Sequence, residues 1–452
     1  MADAARNTAL LILNTLDKKH QTLDKVLDDV LGKATRLTRK DRTLLNALVY
    51  GVLRWRGRLD WIIGHFSKTP LDRIDPMVLN ILRLGLFQIM HLNRIPVSAA
   101  VNTSVEMAKS VAAPWVVRYV NGLLRNAAGN YHHVPYPDME KDPVSALAVE
   151  KSFSTWLLKR WLDRFGLVET ERLCDAVNTI PPITVRTNTL KTTRAALMGS
   201  LQGIVEKIVP THYAPDGVSF FNPVSPVPEM ESFKNGFFQV QDEAAQLVTL
   251  LLNPQPGETV LDACAGLGGK TGHIAQMMKN RGRLTALDND EQKLLRLASE
   301  MSRLGISIVA PHIHDLNEPL NPKRLGTYDR ILLDAPCSGL GVLRRNPDAK
   351  WKLSEPNLAQ YHERQIRFLD NMANLVKPSG VLVYAVCSTE PEENDAVIKA
   401  FLNKHKKFVI ENYPTGLPLE TRLLVDTSGY LITFPHLNNM DGFFTACLKR
   451  IK

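Results

Sequence analysis

Apolar residues over the first 130 positions recur every three or four residues. Leu23, Val26, Leu27, Val30 and Leu31 make one such stripe, and Leu44, Leu45, Leu48, Val49, Val52 and Leu53 make another. That period places them on one face of a helix. Long runs of it, with few strand-like alternations, predict a compact helical bundle. A polar stretch carrying proline and histidine, Gly129 to Pro137, reads as a linker. Helical spacing returns over 143–180 and ends at Pro181-Pro182, after which Ile183 to Asn188 alternates as a strand and a mixed segment runs to about 235. From about 240 the rhythm changes. Short apolar runs, Thr259 to Ala263, Arg283 to Leu287, Arg330 to Leu333 and Val381 to Val386, alternate with helical stretches. One of these, Leu358 to Val376, carries apolar residues at core spacing. Strand-helix alternation predicts a parallel sheet with helices on both faces, the doubly wound, Rossmann-like architecture. The expected organisation is a multidomain chain: an all-α bundle over 1–140, a helical linker and small α+β domain over 141–235, and an α/β domain over 236–452.

Composition narrows this picture only slightly. Hydrophobic residues at 44% and charged residues at 22% fit a globular chain. No run approaches the roughly 20 apolar residues that a membrane span needs, and no export signal opens the chain, so a monomer in a reducing cytoplasm is expected. Lys and Arg outnumber Asp and Glu by 55 to 46, a charge of +9 that suits a polyanionic partner. Cations are interleaved in the helical region as Lys33, Arg36, Arg39, Lys40 and Arg42, then Arg54, Arg56 and Arg58. They serve equally as a solvated face or as an RNA-facing one. The five cysteines, Cys174, Cys264, Cys337, Cys387 and Cys447, are odd in number and widely spaced. Neither a disulfide framework nor a metal site is expected, which makes each a small buried residue or a reactive thiol.

The run from Val260 to Thr271 reads as a strand, a glycine-rich turn and a helix start. Asp262, Cys264, Ala265, Gly266, Leu267, Gly268, Gly269 and Lys270 are the candidate cofactor residues here. Glycines let the backbone turn sharply and approach a ligand, and the helix N-terminus offers free N–H groups. The next strand ends in Asp288, about 20 residues on, where a carboxylate can accept from ribose hydroxyls. Asp290 is a nearby second candidate, and Asp315, after the third strand, is placed to reach an adenine. Each alone is an ordinary loop aspartate; together they favour a nucleoside cofactor.

A buried strand then ends in Asp334-Ala335-Pro336-Cys337-Ser338-Gly339, and the following one in Cys387-Ser388-Thr389. Ligands of doubly wound sheets bind at these strand ends, so two thiols and a carboxylate are expected beside the cofactor. Such a set suits methylation of cytosine C5. That carbon is a poor nucleophile until a thiolate adds to C6, and a proton or hydrogen bond at N3 from Asp334 stabilises the adduct. A free thiol is only a few per cent ionised at pH 7, and a helix N-terminus or a lysine would raise that fraction. The competing reading, small core residues, is natural for one cysteine and strained for two at adjacent strand ends. Cys174 and Cys447 read as structural. Beyond Cys337, the segment Arg344, Arg345, Lys350, Trp351 and Lys352 offers cations for phosphates and an indole for a base.

These motifs resemble those of the Nop/Sun RNA cytosine-C5 methyltransferases. The resemblance covers about 180–450: Arg186-Thr187-Asn188-Thr189-Leu190, Gln241 to Gln246, the glycine loop through Lys270-Thr271, the two cysteine segments, and Asp441-Gly442-Phe443-Phe444. Leu48 to Arg54 and Tyr119 to Arg125 are similar to the antitermination factor NusB. A NusB-like domain before this catalytic domain resembles the members that modify 16S rRNA. The resemblance implies S-adenosyl-L-methionine as cofactor, with Asp262 to Lys270, Asp288, Asp315 and Asp334 around it and the target base. It implies Cys387 as nucleophile and Cys337 as an aid to release, and RNA as the partner, with Arg186 among the RNA-binding candidates. Two positions depart from the family pattern: Gly266-Leu267 replaces Ala-Pro in the loop, and Val386 replaces the threonine before Cys387. Rival readings are a tRNA cytosine-C5 methyltransferase, an exocyclic-amine methyltransferase, which wants an aromatic where Cys337 stands, and a non-enzymatic NusB-like RNA-binding protein.

Overall fold

The computed structural model describes residues 3–19, 21–32, 37–411 and 417–452. Lys33 and Arg36 of the basic run lie outside the described residues. Contacts divide the chain into two compact units, Met1–Thr179 with Leu343–Ser354, and Ile180–Val342 with Glu355–Lys452. The dividing points thus differ from those expected near 140 and 235: the helices after the linker belong with the bundle, and a short piece of the α/β region joins them.

The helical unit holds Ala4–Lys18, Leu23–Leu31, Arg39–Phe66, Pro76–His91, Val97–Val111, Pro114–Asn130, Pro143–Glu150 and Thr155–Asn178. Local signals explain several starts. Thr38 accepts from the Asp41 N–H while Asp41 accepts from the Thr38 N–H, a reciprocal cap on the longest helix. Proline occupies the first turn of three others, where its missing N–H costs nothing. The apolar stripes face inward: Leu45, Leu48, Val49 and Val52 are essentially inaccessible and share a core with Ile81, Leu82 and Leu84. Each such side chain contributes roughly 1.5–3 kcal/mol by leaving water.

The second unit carries two sheets. In the smaller, β1 (Ile183–Thr187), β2 (Lys207–Pro210), β3 (Gly217–Phe221) and β4 (Phe238–Val240) lie in the order β2-β3-β1-β4, every pair antiparallel. Helices Arg194–Leu201 and Glu231–Lys234 connect them, giving the ferredoxin-like βαββαβ plan over a core of Val185, Leu197, Phe220 and Phe238.

The larger sheet contains β5 (Thr259–Ala263), β6 (Arg283–Asp288), β7 (Val309–Ile313), β8 (Tyr328–Asp334), β9 (Val376–Val386), β10 (Phe408–Ile410), β11 (Tyr430–Thr433) and β12 (Phe443–Arg450). Its order is β10-β12-β9-β8-β5-β6-β7, with β11 also on β12. Strands β5 to β9 are parallel, as expected. The last strand, expected around Cys447, is β12; it runs antiparallel to β9 and carries β10 and β11, which the sequence pattern does not mark. A strand buried on both faces reads as a continuous apolar run, and such a run carries no mark of its direction. Val376 opens β9 rather than ending the preceding helix, which spans Pro356–Ala373. From β5 the chain winds outward through β6 to β7, then returns to lay β8 on the other side of β5. That reversal opens a crevice at the carboxyl ends of β5 and β8, the ligand position of this architecture.

Candidate active site

The glycine turn joins β5 to the helix Gly269–Met277. Cys264, Gly266 and Gly268 all take positive φ, at 65°, 56° and 86°. Cys264, having a side chain, bears strain of about 1 kcal/mol or more. The turn is pinned by the Ala265 N–H donating to Leu287 O at 2.7 Å and the Gly268 N–H to Ala265 O at 3.0 Å. A side chain at Gly268 would strike Leu297, whereas at Gly266 and Gly269 it would point into open space. The open side is where a ligand would meet the free N–H groups of the helix. Leu267 is exposed there.

Below the turn, Asp262 is fully buried. Its Oδ2 accepts from the Thr271 hydroxyl at 2.6 Å, and its Oδ1 has no partner within the protein. Burial pushes its carboxyl up to about 7. Asp288, at the end of β6, accepts from the Gly266 N–H at 2.8 Å and the Asp290 N–H at 3.0 Å, so it fixes the turn as well as facing it. Asp290 caps the helix Glu291–Leu304. Asp315 is exposed two residues beyond β7 and accepts from the Asn317 backbone and side-chain N–H groups. An orphaned buried acceptor, an open glycine turn and an acid at the next strand end fit S-adenosylmethionine, which brings an ammonium and a ribose.

At the ends of β8 and β9 the expected chemistry comes together. The Cys337 and Cys387 sulfurs are 3.3 Å apart. The Lys270 ammonium donates to Asp334 Oδ2 at 2.6 Å and lies over the Phe443 ring, 5.3 Å from its centroid. Burial works against the ammonium, but Asp334 outweighs it and holds Lys270 above its ordinary range. The expectation of a more ionised thiol is not met at Cys337. Its hydrogen bond to Cys387, then burial, push it well above the ordinary thiol range, so it keeps its proton. The loop after Cys337 docks through backbone: the Gly341 N–H donates to Cys387 O at 3.0 Å, and the Gly442 N–H to Gly341 O at 2.8 Å. A Cβ on Gly341 would lie 1.9 Å from Gly442 O, so only glycine allows this approach.

The RNA-contact expectations need correction. Arg186 is 1% exposed. Its guanidinium donates to Gln276 Oε1 at 3.1 Å, Gln239 Oε1 at 2.8 Å, Gly269 O at 3.0 Å, and Gln241 Oε1. It braces the glycine turn from behind, at the cost of burial that lowers it to about 9. Lys350 and Arg344 are also buried, within the helical unit. The Lys350 ammonium donates to Asn178 Oδ1 at 2.6 Å and to the carbonyls of Arg54 and Ser152 at 3.3 Å, over the Phe153 ring. The Trp351 indole N–H donates to Leu53 O at 2.6 Å, and Arg54 donates to Arg344 O at 2.7 Å. Arg186, Arg344 and Lys350 are thus sealed against their own chain and cannot hold phosphate, whereas Trp351, its N–H committed to Leu53, stays partly exposed. Of that expected set of cations, Arg345 keeps a partly exposed side chain, and Lys352 is exposed while donating to Asp348 Oδ2 at 2.9 Å. Cys174 and Cys447 are buried, Cys174 being pushed up to about 12.

Sequence reasoning missed Glu393. Its carboxylate accepts from Ser338 and Ser388, the residues that directly follow the two cysteines. The repeated Cys-Ser dipeptide was the signal available. Among the described residues no cluster of three His, Cys, Asp or Glu side chains could hold a metal, and no helix is long and apolar enough to cross a membrane.

A doubly wound sheet with this glycine turn, acids at successive strand ends and paired thiols across β8 and β9 defines a Rossmann-like methyltransferase. Comparisons agree domain by domain: residues 249–449 match the family described as 16S rRNA methyltransferase RsmB/F, residues 3–129 the NusB family, and residues 153–226 the RsmF/B-like ferredoxin-like domain. The chain is 36% identical to proteins named probable ribosomal RNA small subunit methyltransferase B from Synechocystis sp. and from Bacillus subtilis, each alignment covering 99% of both chains. It is also similar to the solved structure of PH0851, at 27% identity and a TM-score of 0.83 over 100% of this chain and 99% of that one. The chain therefore belongs to the RsmB/F family of S-adenosylmethionine-dependent rRNA methyltransferases.

Proposed function

We propose that the protein, a cytoplasmic monomer, methylates C5 of one cytosine in 16S rRNA, with Cys387 as nucleophile, Asp334 on the base and Cys337 assisting release. The two sulfurs held 3.3 Å apart beside the Lys270–Asp334 pair carry this reading. S-adenosylmethionine, when bound, supplies an electrophilic methyl group; Asp262, Gly266, Gly269, Asp288 and Asp315 would hold it. The Cys387 thiolate adds to C6 while N3 takes up a proton, relayed from the Lys270 ammonium through Asp334, which leaves C5 enamine-like and Asp334 accepting from the new N3–H. Once C5 is methylated its proton leaves to a base and the C6–S bond breaks. Cys337, which keeps its proton, stands where it can donate to the departing Cys387 sulfur. The helical region 1–140 would recognise RNA, with Arg345 as a candidate phosphate contact, while 236–452 performs the chemistry.

Mapping 5-methylcytosine in 16S rRNA from cells lacking this protein tests the proposal. One modified cytosine should disappear and return with the wild-type gene. An unchanged 16S pattern, or a loss found in tRNA instead, would refute the substrate assignment.

A further inference from the structure

Glu393 closes the turn Pro391–Glu393, six residues after Cys387, and is completely buried. Four donors converge on its carboxylate. Oε1 accepts from the Ser338 N–H at 2.8 Å and the Gln365 amide at 3.1 Å. Oε2 accepts from the hydroxyls of Ser338 and Ser388, both at 2.5 Å. An ionised carboxylate has about four lone-pair positions, and here each has a donor. A buried charge costs several kcal/mol unless it is hydrogen-bonded in this way. A hydrophobic residue could fill the same space, but it could not grip a hydroxyl from each of two strand ends. Gln365 reinforces the tie by also donating to Pro336 O at 3.0 Å, and Tyr384 fixes the Glu393 backbone by donating to its carbonyl at 2.7 Å.

We propose that Glu393 is a positioning residue: by clamping Ser338 and Ser388 to one carboxylate, it sets the separation and facing of the Cys337 and Cys387 sulfurs. Neither sulfur touches Glu393 in this arrangement; its effect passes through the serine that follows each cysteine. The proposal deepens the catalytic reading and rests on both cysteines serving one reaction.

Glu393→Gln tests it, because the amide keeps the shape and removes the charge. Its N–H₂ would face two hydroxyls that must both turn round to accept. Phenylarsine oxide, which bridges two thiols only when they are close and facing, measures the dithiol geometry directly, through the loss of two free thiols per chain. The expected result is a melting temperature within about 5 °C of wild type and arsenical capture weakened about tenfold or more. Turnover on rRNA should fall about 100-fold with KM within about twofold, the cost of a misplaced reacting group. The double variant Ser338→Ala, Ser388→Ala should lose the same functions, and adding Glu393→Gln to it should cost little more, since residues acting as one unit are not additive. Either variant folding normally with wild-type arsenical capture would overturn the proposal. If Glu393→Gln does not fold, the serine pair decides by the same criterion. Wild-type protein that captures the arsenical but methylates no rRNA would instead count against the catalytic reading alone.

Discussion

Cys337 and Cys387 share a residue type and a 3.3 Å contact, yet their surroundings separate them. Cys337 is held as a thiol by its bond to Cys387, so the two should fail differently when removed. Cys387→Ala should abolish both turnover and any covalent RNA adduct. Cys337→Ala should leave an adduct that survives denaturing gels, with turnover lost. An adduct missing from Cys337→Ala would reverse the roles. Asp262 offers a second test, in stability against pH. Its folded carboxyl titrates near 7, against about 3.8 in the ordinary range. Between those values the folded chain keeps a proton that the unfolded chain releases. The stability tied to that proton is whole below about pH 4, drains away as pH rises to 7, and is then flat. Asp262→Asn, which cannot ionise, should therefore melt higher than wild type at pH 8, by a few kcal/mol of stability, and converge on it near pH 4. Its affinity for S-adenosylmethionine should drop, because the unpaired Oδ1 is lost. Equal melting of the two proteins at pH 8 would disprove the buried-acid account.

Among the elements, those with a local signature were legible. The 3.6-residue stripes and the strand-turn-helix at Gly266 to Gly269 both carry their cause within a few residues. What could not be read depends on partners far along the chain. Lys350 looks like a phosphate contact by type and neighbourhood, but its acceptors come from Arg54, Ser152 and Asn178. Arg186 is alike in this, serving Gly269 from behind rather than a ligand in front. Strand direction at β12 was equally silent, since burial on both faces erases the alternation. The Lys350 site yields a stability prediction. Lys350→Ala removes the donor shared by Asn178 Oδ1 and the Arg54 and Ser152 carbonyls and empties the space over Phe153, and should cost about 3 kcal/mol in urea unfolding. Lys350→Met, which keeps the stem over Phe153, should cost less. A loss below about 0.5 kcal/mol would place the side chain in solvent instead.

For the whole molecule, the excess of 9 positive charges predicts how binding responds to salt. Each phosphate neutralised releases a counterion, so a plot of log affinity for rRNA against log salt should fall with a slope of several units. S-adenosylmethionine, a small ligand of net charge +1 that releases no condensed counterions, should show almost none. Equal slopes for the two ligands would mean that the charge excess plays no part in RNA capture.

The segment Leu343–Ser354 also has a meaning in time. It belongs to the helical unit, yet the ribosome makes it long after Thr179. At about 5–20 residues per second, roughly ten seconds or more separate the last helix of the bundle from the piece that completes it. Through that interval Asn178, Ser152 and Leu53 await donors not yet synthesised. The first unit to leave the ribosome is thus completed only after half the strands of the methyltransferase sheet have been made.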